Sequence, residues 1–443
     1  MEVEKKLYIE TYGCQMNFSD SQIVASILAD NRYSTTNDAK EADLILINTC
    51  SIRDKAEQRV WKRLKELKLM KKKNPALKIG VIGCMAERLK DQLLDPEHRV
   101  DLVAGPDAYR DLPGLIAETE SGQKVANIQL SLEETYADID PVRYDSNGIT
   151  AFISIMRGCE NFCSYCVVPF TRGKERSRNP ETIVAEAADL FSRGFREVTL
   201  LGQNVNSYNF QDAERTTGFS ELMAAVAQIS PLLRVRFTTS HPRDLSDELL
   251  QTIAAYPNIC KSIHLAVQSG SNQVLERMNR KYTREWYMDR ISSIRNIIPD
   301  CAISTDIIAG FCGETDADHQ DTLSLMEWVK YDYAFMFKYS ERSGTIAAKK
   351  FPDDVPEEVK SARLKEIIDL QHKLSHRSNK DDVGGIFEVL IEGNSKKSEV
   401  HVYGRNSQNK VVVFDAKGLK PGEYARVKIV SCTSATLIGE MVD

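Results

Sequence analysis

At 443 residues the chain has room for about three domains of roughly 150 residues each, and 42% hydrophobic with 28% charged content describes a folded globular protein, not a disordered one. A net charge of −6 argues against an overall cationic surface for nucleic acid, and no apolar run approaches the ~20 residues of a membrane span, so no membrane partner is expected. Met1–Glu10 lacks the apolar segment of a signal peptide, which predicts a cytoplasmic protein whose ten cysteines stay reduced and favour metal or catalytic roles over disulfides.

In chain order, Lys6–Tyr12 alternates like a strand and ends at Gly13-Cys14. A helix follows, with Ser19 and Gln22 as a candidate capping box and Ile23, Val24, Ile27 and Leu28 on one face. Asp43–Asn48 is a near-continuous apolar run, the pattern of a buried parallel strand, and ends at Thr49-Cys50. Arg53–Lys73 reads as a helix, and Lys78–Gly83 as a third strand ending in Cys84, with another helical stretch after it. Strand, cysteine, helix thus occurs three times. In a parallel α/β sheet all strand C-termini lie on one edge, so Cys14, Cys50 and Cys84 are expected to converge there as a three-thiolate iron–sulfur site.

Ser131–Asn147 is acidic and polar and reads as a linker. Beyond it six strands alternate with helices: Ala151–Met156, Glu197–Leu201, Val235–Thr239, Ser262–Val267, Cys301–Ala309 and Tyr333–Lys338. This predicts a partial (β/α)6 barrel with its ligand groups at the strand C-terminal ends. Polar residues stand there, at Gly202-Gln203-Asn204, Thr239-Ser240-His241, Gln268-Ser269 and Thr305-Asp306, although each set also suits caps and turns. After an amphipathic helix at Val359–Arg377, five short alternating strands (Ile386–Ile391, Val400–Tyr403, Lys410–Phe414, Tyr424–Val430, Ala435–Glu440) predict a small OB-like β-barrel. The fold class is α/β, divided as 1–130, a linker at 131–147, 148–378 and 379–443.

The first barrel strand leads into R-G-C-E-N-F-C-S-Y-C, where Cys159, Cys163 and Cys166 are spaced C-x3-C-x2-C with no fourth cysteine until Cys260. Structural zinc takes a closed set of four ligands, so three thiolates favour a [4Fe–4S] cube with one iron left open. Cys260, Cys301, Cys312 and Cys432 read as free, buried thiols. Basic character is local. Lys62–Lys73 holds seven basic residues against Glu66, and Arg172–Arg178 four against Glu175, runs that usually mark a solvated face.

The triplet resembles the signature of the radical S-adenosylmethionine (SAM) superfamily, which implies that the open iron binds the amine and carboxylate of SAM and that the cluster's electron cleaves SAM to a 5′-deoxyadenosyl radical. Thr11–Asn17 (T-Y-G-C-Q-M-N), Asn48–Ala56 (N-T-C-S-I-R-D-K-A) and Gly83–Ala86 (G-C-M-A) resemble the N-terminal domain of methylthiotransferases, and the Q-M-N and S-I-R forms are most similar to MiaB-type tRNA methylthiotransferases. The resemblance implies a three-layer α/β N-terminal domain, a radical SAM core, and a C-terminal TRAM barrel that binds RNA. It also implies an alkylthio transferase that puts a methylthio group on C2 of a prenylated adenosine beside the tRNA anticodon. Such an enzyme uses two [4Fe–4S] clusters and SAM, draws on a flavodoxin- or ferredoxin-like electron donor, and acts as a monomer. By the same resemblance Tyr165 lies beside the SAM adenine, Gly202, Gln203 and Asn204 meet its amino-acid part, and Gln268 and Ser269 complete the cofactor site. Arg405 and Lys410 on the barrel, with Lys71 and Lys72 on the basic helix, are the RNA-contact candidates. Ala266 and Cys312 stand where many relatives have proline. Two other readings remain open: the same chemistry on a ribosomal-protein aspartate, and a non-catalytic iron–sulfur electron carrier with an RNA-binding tail.

Overall fold

The structure, a computed structural model, describes residues 4–50, 54–144, 146–213, 215–395 and 400–442, without the side chains of 54–56. The S-I-R part of the second motif, Ser51–Arg53, lies outside these. The chain forms two units, one of Met1–Asp145, Met156–Phe162 and Cys166–Arg178, the other of Ser146–Ile155, Cys163–Tyr165 and Asn179–Asp443. Among the described residues no helix is long and apolar enough to cross a membrane.

The first unit is built on a parallel sheet of β1 (Lys5–Tyr12), β2 (Tyr33–Thr35), β3 (Leu44–Thr49), β4 (Lys78–Ile82), β5 (Leu102–Ala104) and β6 (Val125–Asn127), in the order β2-β1-β3-β4-β5-β6. The short β2, β5 and β6 escape the sequence pattern because three residues carry no measurable alternation. Every residue of β3 is buried. Leu44 and Leu46 point to one face, with α1 (Gln15–Ala29) and α4 (Leu112–Glu120); Ile45 and Ile47 point to the other, with α2 (Asp54–Lys73) and α3 (Cys84–Leu93). The result is the three-layer sandwich expected of alternating β and α elements.

α1 starts earlier than its sequence suggests. Cys14 is the N-cap and Asn17 accepts its backbone N–H at 3.3 Å, so the expected box at Ser19 and Gln22 falls inside the helix, where both are buried. Gly13 makes the early start possible: its φ of +147° turns the chain sharply, and a Cβ there would lie 2.7 Å from that of Cys50. The expected linker is packed, with Tyr136 buried and its hydroxyl donating to the Pro106 carbonyl at 3.0 Å.

In the second unit β7 (Thr150–Ser154), β8 (Glu197–Leu201) and β9 (Arg234–Thr238) form one parallel sheet, and β10 (Ser262–His264), β11 (Ala302–Ala309) and β12 (Tyr333–Lys338) another. Single parallel bridges at Val235–Ile259 and Ser240–Leu265 link β9 to the β10 side. The six strands thus follow one another in sequence order around an incompletely closed barrel. Helix starts carry side-chain caps: Asn179 accepts from the Glu181 N–H at 2.8 Å and Ser246 from the Leu249 N–H at 3.2 Å. The helical stretch between β10 and β11 is two helices, Asn272–Arg277 and Arg284–Ile297, and the positive φ of Asn279 and Lys281 breaks it between them.

The last five strands, β13 (Ile386–Asn394), β14 (His401–Arg405), β15 (Val411–Asp415), β16 (Tyr424–Cys432) and β17 (Leu437–Met441), close a barrel around Val389, Val412, Phe414, Val427 and Leu437. It is seated on the strand-start end of the core. Arg234 donates to the carbonyls of Arg405 (2.6 Å) and Glu388 (2.9 Å), Arg236 to those of Asn406 (2.8 Å) and Ser407 (3.1 Å), and the Tyr424 hydroxyl to that of Leu232 (2.9 Å).

Candidate metal centres

In open α/β sheets ligands bind outside the strand C-termini where the strand order reverses. Here that point lies between β1 and β3; Cys50 follows β3 directly, and Cys14 and Cys84 follow β1 and the neighbouring β4 after one glycine each. Beneath them is a fully buried amide plate. Asn17 Nδ2 donates to Asn48 Oδ1 at 3.0 Å, and Asn48 Nδ2 donates to the Asn17 carbonyl (2.8 Å) and to Ser21 Oγ (2.9 Å). Gly83 is required above it, since its φ is +88° and a Cβ would sit 2.4 Å from Asn48 Oδ1. A hydrogen bond with Cys50, aided by Arg172, pulls the Cys14 thiol down to about 6 against the opposing effect of burial. Burial pushes the Cys84 thiol up, and Arg172 partly offsets it.

Arg172 is one of a buried alternating series in the first unit. Its Nε lies 3.2 Å from the Cys84 sulfur and its Nη2 donates to Asp20 at 2.6 Å. Asp20 also accepts from Arg157 Nη1 (2.9 Å) and the Tyr109 hydroxyl (3.2 Å). Arg157 lies over the Tyr136 ring at 4.8 Å and 3.6 Å from Asp107, whose carboxylate accepts from Arg176 at 3.0 Å. Burial pushes the Asp20 carboxyl up, but Arg157 and Arg172 more than offset it and hold it below the usual range. Three guanidinium groups against two carboxylates leave an excess positive charge among buried side chains, which thiolate ligands would offset. The donor set therefore fits an anionic iron–sulfur group. Among the described residues no three His, Cys, Asp or Glu side chains are grouped tightly enough to hold a single metal ion. A cube places each thiolate on a different iron, which asks for a wider spacing.

For the triplet, Cys159 and Cys166 belong to the first unit and Cys163 to the second. The Asn161 amide lies 3.5 Å from the Cys159 sulfur, and the Val168 N–H points at the Cys166 sulfur at 3.4 Å. Cys163 has a cation of its own: Arg280 Nη1 stands 3.2 Å from its sulfur. Arg280 also donates to the Ala266 carbonyl and, at 2.9 Å, to the Tyr282 hydroxyl, so the replacement of proline by Ala266 leaves this contact intact. Tyr165 packs against the apolar group of Val274, Met278, Phe311, Cys312 and Tyr339.

At the barrel strand ends both side-chain polar atoms of Gln203 are buried without a partner among the described residues, as are those of Asn206. Asn204 is used within the fold, accepting from the His241 N–H (3.1 Å) and donating to Asp244 (2.6 Å). His241 accepts from the Arg243 N–H on Nδ1, which places its proton on Nε2, and burial with Arg280 nearby holds the ring neutral, with its pKa down at about 2. Gln268 has a φ of +73° and Ser269 Oγ caps the Ser271 N–H at 3.2 Å, so Ser269 builds the turn. Cys260, Cys301 and Cys312 are buried thiols, whereas Cys432 is half-buried.

The RNA-contact candidates divide. Lys410 is held by Ser378 (2.6 Å) and Asp382 (2.7 Å), and Lys71 is paired with Asp101; both charges are matched within the fold. Arg405 grips Glu392 with two donors (2.7 and 2.9 Å) while a third of its side chain stays exposed, and Lys72 is exposed.

Residues 6–105 match the model of an uncharacterized protein family, UPF0004, residues 153–326 that of the radical SAM superfamily, and residues 380–442 that of the TRAM domain. The tRNA-2-methylthio-N(6)-dimethylallyladenosine synthase of Amoebophilus asiaticus is 58% identical over 451 residues, 99% of this chain and 93% of that protein. The protein of the same name from Parabacteroides distasonis is 56% identical over 99% of this chain and 96% of its own length. The chain belongs to the MiaB-type tRNA methylthiotransferase family. Among solved structures, the radical SAM methyltransferase TsrM from Kitasatospora setae covers 75% of this chain and 73% of its own, with a TM-score of 0.54 at 12% identity. The cobalamin-dependent radical SAM enzyme OxsB covers 83% of this chain and 56% of its own, with a TM-score of 0.51 at 13% identity. At such identities the likeness speaks for the fold. Membership in this family brings an iron–sulfur cluster and SAM as working cofactors. Asp20, Arg157, Arg172 and Arg280 are the site residues that motif reading missed. Arg157 and Arg172 stood inside quoted stretches, but nothing in the pattern singled out Asp20.

Proposed function

We propose that this chain is an alkylthio transferase that adds a methylthio group to C2 of N6-(isopentenyl)adenosine next to the anticodon of tRNA. The observation that carries this is the 58% identity along nearly the whole chain to a relative named for that reaction. It weighs against the ribosomal-protein substrate and against a non-catalytic electron carrier.

Cys159, Cys163 and Cys166 hold one [4Fe–4S] cluster, and Cys14, Cys50 and Cys84 hold a second. When bound, these groups and SAM supply the radical that activates the C2–H bond and the sulfur and methyl that replace its hydrogen. Tyr165 lies against the adenine of SAM, and Gly202, Gln203 and Asn204, with Gln268 and Ser269, shape its pocket. The unpartnered amide of Gln203 gives that pocket a ready donor and acceptor, whereas Asn204 and Ser269 act by fixing loops. Lys72 and the exposed edge of Arg405 meet phosphates of the anticodon stem-loop; Lys71 and Lys410 hold the fold around them. The modules run 1–130, 148–378 and 379–443. The protein works in the cytoplasm as a monomer, with a flavodoxin- or ferredoxin-like reductant.

Anaerobic reconstitution with iron and sulfide, then turnover on prenylated and unprenylated anticodon stem-loops, tests the reading. Mass spectrometry of nucleosides is expected to find the 2-methylthio product from the prenylated loop alone. Release of 5′-deoxyadenosine without any nucleoside product would overturn it.

A further inference from the structure

We infer that Arg172 is the positioning residue of the Cys14–Cys50–Cys84 site, donating its Nε–H to the Cys84 sulfur and thereby raising the reduction potential of the cluster held there. The inference rests on the second-cluster reading. Its geometric support is independent of that reading. The Nε to Sγ distance is 3.2 Å, Arg172 is 2% exposed, and Asp20, itself fully buried, grips the neighbouring Nη2 at 2.6 Å. Asp20 is in turn pinned by Arg157 and Tyr109, so the guanidinium plane is held from behind and has little freedom to leave the sulfur.

Hydrogen bonds to ligand sulfurs, together with net charge and burial, set the potentials of iron–sulfur clusters. An N–H donor draws electron density from the thiolate and favours the reduced, more negative cluster. It also leaves the open iron a stronger acceptor for the sulfur to be transferred. Asp20 works in the opposite sense, because its carboxylate shares the arginine's charge. The pair therefore sets an intermediate value, with Arg172 raising the potential and Asp20 limiting the rise.

The test uses the full-length chain carrying Cys159→Ala, Cys163→Ala and Cys166→Ala, so that only the second cluster is read, by redox titration followed by electron paramagnetic resonance. Arg172→Met is expected to lower the midpoint by at least the equivalent of a tenfold change in the reduction equilibrium, ~59 mV for one electron. Arg172→Lys is expected to recover part of it. Asp20→Asn is expected to move the midpoint upward, a direction that general damage to the site does not predict. An unchanged midpoint in an iron-replete Arg172→Met protein overturns the inference. If Arg172→Met takes up no iron, Asp20→Asn decides, an upward shift supporting the inference and none overturning it. Failure of the parent triple-alanine chain to bind iron refutes the second-cluster reading instead.

Discussion

Two cysteines in different units each have an arginine nitrogen 3.2 Å from the sulfur, Cys84 with Arg172 and Cys163 with Arg280. The donors match; the counter-charges do not. Arg172 is gripped by the buried carboxylate of Asp20, whereas Arg280 donates to a carbonyl and a phenol, neither of them ionised. Opposite charges close together in a low-dielectric site largely cancel. The Cys163 sulfur therefore faces nearly a whole positive charge, and the Cys84 sulfur a reduced one. A local contact is thus an incomplete description of a ligand's electrostatics, because the next residue out decides how much charge arrives.

The largest expected difference between the two regions is chemical. Cys163→Ala is expected to abolish release of 5′-deoxyadenosine, whereas Cys14→Ala keeps SAM cleavage and abolishes methylthiolation, each with a loss of about four irons per chain. Iron analysis with product quantification checks both, and an unchanged iron content in Cys14→Ala would refute the second site.

Next is stability. Asp20→Ala strands two buried guanidinium groups and is expected to cost about 3–5 kcal/mol in denaturant unfolding. Tyr282→Phe, at the other arginine, removes one neutral acceptor and is expected to cost about 1 kcal/mol. Equal losses would erase the distinction drawn between the two sites.

A smaller effect sharpens the picture of the first unit. Burial, with Asp107 nearby, pushes the Glu87 carboxyl up to about 8, and its Oε2 has no partner among the described residues. Between the ordinary carboxylate value and about 8 the folded state holds a proton that the unfolded chain has released. Stability from this group therefore falls as pH rises through that window. Glu87→Gln should remove the slope and gain roughly 1–3 kcal/mol at pH 8, discounted for the group's partial exposure. Melting curves from pH 5 to 8 would show it, and an identical slope in the variant would count against a buried, neutral Glu87.

The smallest effect separates adjacent lysines. Lys72→Ala should weaken anticodon stem-loop binding several-fold and lower the salt slope by about 0.7–0.9. Lys71→Ala should leave that slope alone and lower the melting temperature, since its charge is spent on Asp101. Salt-series titrations distinguish the two, and equal slopes would rule out the division.

The sequence alone was enough for the longer strands and helices, for the strand ends at which six cysteines stand, and for the closed terminal barrel. Buried strands write themselves as apolar runs, and three cysteines each placed just after such a run reveal a shared edge. Helix α1 was misread at its start because Ser19 and Gln22 satisfy the capping pattern locally, and only contact with Asn48 makes Asn17 part of the cap instead. Lys410 looked like a nucleic-acid contact until the fold placed Asp382 beside it. Arg172 and Asp20 are 152 residues apart, and no local periodicity reports a charge pair formed across that span. Ligand identity is a property of residue type and spacing, which the chain carries along its length. The charge that reaches a ligand depends on which distant side chains burial forces together, and that is settled only when the chain is folded.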